Sequence, residues 1–105
     1  MLRIRDTMIE VIKGLVPVVA KIQVHDRGLA TQLREAASSV TLNISEGSGS
    51  RGGTRRERYS TAPGSARETG SCLETAMAWG YVGAVDPDLL DRLDKVRATL
   101  WKVVR

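Results

Sequence analysis

The chain has 105 residues, enough for one modest hydrophobic core and too few for two. It is 42% hydrophobic and 27% charged, an ordinary globular composition that excludes a disordered or membrane-embedded chain. The net charge of +4 allows an acidic partner such as nucleic acid but does not demand one.

The single cysteine, Cys72, excludes an internal disulfide. The longest apolar run, Gly14 to Ala20, is too short to cross a bilayer. No signal-peptide pattern opens the sequence, so the expected location is the cytoplasm, with no membrane partner. With two Trp, two Tyr and no Phe, the core has to be built from aliphatic residues and Met.

Helical spacing recurs along the whole chain. Met8, Ile12, Leu15, Val19 and Ile22 follow steps of four and three, the seam of a packed helix predicted over residues 5–24. Gly14 weakens this helix and Pro17 removes a backbone donor, so a kink is expected there. Val16, Val18 and Val24 leave a strand open as the alternative. His25-Asp26-Arg27-Gly28 reads as a turn. The second helix, over 27–47, carries Leu29, Leu33, Ala36 or Ala37, Val40 and Ile44 on one face. Gly47 is its expected stop, since glycine takes the left-handed conformation at little cost.

Thr54-Arg55-Arg56-Glu57 has the form of a capping box and starts a third helix over 54–80. Its small or apolar positions are Tyr59, Ala62, Ala66, Leu73 and Met77, with Pro63 bending it and Gly80 closing it. Asp86-Pro87 opens the last helix, over 86–104. Asp86 caps the first turn, and Pro87 stands where no donor is needed. Leu89, Leu93, Val96, Leu100 and Val103 form its seam. The expected fold is all-α, a single antiparallel up-down four-helix bundle over residues 1–105.

The Gly-rich connection from Gly47 to Gly53 has a chemical alternative. Gly47 to Thr54 matches the phosphate-binding pattern G-x-x-x-x-G-K-[ST], except that Gly53 stands at the lysine. That lysine supplies the charge on the outer phosphates. The pattern also requires a preceding strand, whereas the spacing here is helical. A disordered tail is disfavoured by the seamed helices on both sides.

His25 and Cys72 lie in different elements and give no metal-ligand spacing, and nothing resembles a catalytic triad. No enzyme activity, metal or cofactor is expected. Cys72 reads as a small buried thiol. Asn43-Ile44-Ser45 is a formal glycosylation site on a chain with no route to secretion. Ser38, Ser39 and Asn43 are poor helix formers placed mid-helix. Asn43, Glu46, Ser65 and Glu68 are therefore expected to form a buried polar network between the second and third helices, with solvated side chains as the bland alternative.

Three stretches carry a family resemblance. These are Gln32-Leu33-Arg34-Glu35-Ala36-Ala37-Ser38-Ser39-Val40, Leu42-Asn43-Ile44-Ser45-Glu46-Gly47-Ser48-Gly49 and Ala62-Pro63-Gly64-Ser65-Ala66-Arg67-Glu68. In this order and spacing, over roughly Asp26 to Tyr81, they resemble the small bacterial four-helix bundle family. That family includes proteins encoded in intervening sequences of 23S ribosomal RNA genes and the accessory protein of diversity-generating retroelements.

The resemblance implies an antiparallel bundle that closes into a ring, commonly a pentamer, with no enzyme activity. For a role like that of the retroelement member, it also implies a reverse transcriptase partner and RNA bound on a basic surface of the ring. Ser60, Thr61 and Pro63 depart from the family pattern. Glu35 replaces the second arginine of its usual pair and leaves Arg34 as the first.

Arg51, Arg55, Arg56 and Arg58 fall close together and are opposed there only by Glu57. Arginine pairs bidentately with phosphate. On a lone monomer this cluster reads as a solvated loop. Repeated around a ring, and joined by Arg34, it reads as an RNA- or DNA-binding surface strengthened by avidity. No aromatic residue interleaves with these arginines, so sequence-tolerant binding without base stacking is expected of them. Trp79, Tyr81 and Trp101 are the expected anchors of the oligomer interface. The competing reading is a protein-binding scaffold with no nucleic-acid contact.

Overall fold

The computed structural model describes the backbone of residues 2–49 and 52–104, and the side chains of residues 3–45 and 61–103. Four helices follow in order: α1 (Leu2–His25), α2 (Arg27–Gly49), α3 (Gly52–Ala78) and α4 (Pro87–Val104). No strand occurs among the described residues, so the strand alternative for Val16 to Val24 is overturned. The helices contact one another in a closed cycle, α1 with α2, α2 with α3, α3 with α4 and α4 with α1.

The joints are tighter than the turn residues suggest. Asp26 alone separates α1 from α2. Its amide donates to the carbonyl of Ile22 at 2.8 Å and ends α1. Its carboxylate Oδ1 accepts from the amide of Leu29 at 2.9 Å, and its carbonyl accepts from the amide of Ala30. One side chain thus caps the next helix as the previous one closes. α2 continues to Gly49 and α3 begins at Gly52, whereas the glycines predict a connection from 47 to 53. Each glycine costs a helix only about 1 kcal/mol, which two long helices packed on each other outweigh. Thr54 accordingly lies inside α3 instead of capping it.

The end of α3 follows the sequence reading closely. Gly80 has φ +74°. Its amide donates to the carbonyl of Met77, and the amide of Tyr81 donates to the carbonyl of Ala76, both at 3.0 Å. This pair of bonds is a Schellman closure. Replacing Gly80 by Ala imposes the left-handed penalty on a Cβ and is expected to cost about 1 kcal/mol. A urea midpoint identical to the parent's would contradict it. Asp86 caps α4 as expected, its Oδ1 accepting from the amide of Asp88 at 3.0 Å, with Pro87 in the first helical position.

The core follows the seams: Met8, Leu15 and Ile22 from α1, Leu33, Val40 and Ile44 from α2, Leu73 from α3, and Leu93, Val96 and Leu100 from α4 are all buried. Val11 and Thr69 join them outside the predicted seam positions. Val103 instead faces outward, since the seam of α4 ends with Leu100 one turn before the helix does. Both Ala36 and Ala37 are buried, as are Ala62, Ala66 and Ala76. These small residues let α2 and α3 approach closely along the longest interface in the bundle.

α1 and α3 run unbroken through Pro17 and Pro63. Gly14 has a packing role that helix propensity hides. A Cβ there would stand 2.8 Å from Leu89 Cδ1, so its absence lets α4 close on α1.

Candidate nucleic-acid interface

The packing brings four helix termini together. Arg5, near the start of α1, donates through Nε to Ser45 Oγ near the end of α2 at 2.8 Å. α2 ends at Gly49 and α3 begins at Gly52. Trp101, near the end of α4, shares a recess with Pro63 in the first half of α3. One end of the bundle therefore collects the start of α1 with Arg3 and Arg5, the α2–α3 connection, and the end of α4 with Lys102. Arg3 and Lys102 are exposed. Arg5 makes a long ion pair with Asp6 at 3.8 Å, both groups well solvated, so its charge stays available to a phosphate.

Arg51 and the side chains of Arg55, Arg56 and Arg58 lie outside the described residues. The last three belong to the first two turns of α3, at this same end. Arg34 does not join them. It is exposed on α2, eleven residues before Ser45, roughly 16 Å along a helix.

Above this end, a short polar chain ties α2 to α3. Ser39 Oγ and Ser65 Oγ lie 2.8 Å apart. Asn43 Nδ2 donates to Ser39 Oγ at 2.9 Å and to the Ser39 carbonyl at 2.8 Å. Asn43 and Ser65 thus meet through Ser39. Glu68, assigned to this network from its sequence position, is exposed on α3, because its place in the helical repeat turns it away from α2. The side chain of Glu46 lies outside the described residues.

Ser39 was visible as a misplaced helix residue, but its role as the hub follows only from the α2–α3 register. Replacing Asn43 by Leu removes both bonds and is expected to cost about 1–2 kcal/mol and to broaden the amide spectrum of α2. A sharp spectrum with unchanged stability would contradict this.

The three aromatic residues do not form one patch. Tyr81 stacks on His25 with centroids 5.1 Å apart and planes 6° apart. Trp79 stacks more loosely on the same ring at 6.2 Å. This ladder sits at the end away from the arginines, and Trp79 remains 69% exposed. His25, placed by the sequence in a turn, stays exposed and owes this stack to the closeness of the α1 and α3 ends. Trp101 stands apart on the α3–α4 face.

An apolar groove between α1 and α2, about 350 Å³, is lined by Ile12, Val16, Val19 and Leu33 among others, with Arg34 at its edge. Val16 is 65% exposed there.

Burial, then the Glu68 carboxylate, hold the Cys72 thiol above its ordinary pKa. Its reactive thiolate is correspondingly disfavoured. Among the described residues no cluster of His, Cys, Asp and Glu is arranged to hold a metal ion, and no helix is long and apolar enough to cross a membrane.

The fold is that of a small all-helical bundle. The family model described as 23S rRNA-intervening sequence protein matches residues 2–102, and the chain belongs to that family. No curated protein and no solved structure matches it.

Proposed function

We propose that the chain is a non-enzymatic accessory protein of the cytoplasm that assembles into a closed pentameric ring and holds RNA or DNA phosphates on a basic surface. A partner protein such as a reverse transcriptase works beside it. The observation that carries this reading is the convergence of helix termini, which brings Arg3, Arg5, Lys102 and the arginine-rich start of α3 to one end. Repetition of that end around a ring multiplies a weak monomer patch through avidity. Membership of the 23S rRNA-intervening sequence protein family supports a nucleic-acid context. Support for self-association comes from the apolar α1–α2 groove and from Trp79 at 69% exposure, two different surfaces of the kind a closed ring pairs.

The same groove favours a second reading, a scaffold that docks a helix of another protein without touching nucleic acid. Anisotropy of a labelled duplex RNA, titrated at several salt concentrations, separates the two. Tight binding at low salt that weakens linearly in log–log form supports the proposal. Absence of binding at about 50 mM salt by an intact oligomer leaves the scaffold.

A further inference from the structure

Pro63 and Arg67 stand one turn apart on α3, and Arg97 and Trp101 stand one turn apart on α4. These four residues line a recess of about 120 Å³. We propose that this recess is a nucleotide-binding site for single-stranded nucleic acid, in which a base stacks on Trp101 while Arg67 and Arg97 hold the flanking phosphates. The inference rests on the nucleic-acid reading above and adds a site that the arginines at the start of α3 do not provide.

Three observations carry it. Trp101 is 51% exposed, leaving ring surface open beside the recess. Arg67 is exposed and has no carboxylate within ion-pairing distance among the described residues. Arg97 is held only by Asp94 at 3.4 Å, three residues away on the same helix, with both groups solvated. Such a pair contributes little and exchanges readily for a phosphate. A planar aromatic beside two guanidinium groups is the pairing that single-strand binders use, stacking for the base and charge for the backbone.

The surroundings also set a direction. Glu74 and Asp94 line the adjoining recess with the same two arginines. Their charge repels a strand from that side and steers it past Trp101 toward the end of α4, where Lys102 is exposed. The bound strand would therefore run toward the basic end of the bundle.

The test uses the full-length protein and a single-stranded adenosine decamer carrying one 2-aminopurine, whose emission is quenched by stacking. A duplex RNA serves as the comparison, and light scattering is recorded for every variant. The parent is expected to quench the probe. Trp101→Leu should abolish the quench and weaken single-strand affinity about tenfold, the cost of one stacked base, with the salt slope unchanged. Trp101→Phe should restore part of the quench. The Arg67→Ala/Arg97→Ala pair should lower the salt slope by about 1.4, two single-strand phosphates.

Trp101→Leu binding and quenching like the parent overturns the site. So does a change of assembly mass in that variant, which would make Trp101 an interface residue. Failure of the parent to bind the single strand while it still binds duplex overturns this inference and leaves the proposed function standing. Failure to bind either overturns both.

Discussion

Replacing Arg51, Arg55 and Arg56 together by alanine lowers the salt slope of duplex-RNA binding by roughly 2 to 3 and weakens affinity about 100-fold at low salt, while helical content and assembly mass stay as in the parent. The slope counts phosphates neutralised, at about 0.9 per contact for duplex, and avidity in a ring magnifies each lost contact. Arg55 closes the first turn of α3 and Arg56 opens the second, where positive charge still opposes the helix dipole. Their removal therefore relieves up to about 1 kcal/mol instead of costing stability. A residue kept for folding would behave in the opposite way. Anisotropy across salt, circular dichroism and light scattering on the same samples check all three arms. A triple variant that binds like the parent makes these arginines solvated charges and promotes the scaffold reading.

The second large effect concerns assembly. Light scattering at micromolar concentration should give about five times the 11.4 kDa monomer mass. Trp79→Ala should shift that population toward smaller species, with a dissociation midpoint raised by roughly 30-fold, the effect of losing one interface hot spot of about 2 kcal/mol. Trp79 is suited to this test because its ring is 69% exposed and stacks only loosely on Tyr81 at 6.2 Å. Its removal takes little from the monomer. A parent that scatters as a monomer overturns the ring and the avidity that the binding reading depends on. A ring that tolerates Trp79→Ala moves the interface to the α1–α2 groove around Val16.

The two experiments are independent by construction. The arginines belong to the end where α2 meets α3, and Trp79 belongs to the opposite end, beside the stacked Tyr81 and His25. Binding lost without loss of mass, and mass lost with binding following it, are therefore distinct signatures.

Local signals by themselves determined the four helices and most of the core. Steps of three and four placed Met8, Leu15, Ile22, Leu33, Val40, Ile44, Leu93, Val96 and Leu100 inside, and all are buried. Asp86 and Gly80 marked helix ends because a cap and a left-handed residue act within one turn. The same local logic failed where packing between helices outweighs it. Gly47 did not stop α2, and Thr54 did not start α3, since a long interface overcomes the small cost of a helical glycine.

What only the tertiary structure decided are the relations between elements. Periodicity gives each helix a face but not the neighbour it meets, nor the height at which they meet. That register makes Ser39 the link between Asn43 and Ser65 and leaves Glu68 in solvent. It also makes Gly14 the seat of Leu89 and stacks His25 on Tyr81. Trp101 and Arg67 are far apart in the chain and share a recess only because α3 and α4 lie side by side. A property of one helix face is written in a dozen consecutive residues. A site between two helices depends on their relative shift, which is set by how the whole core fills.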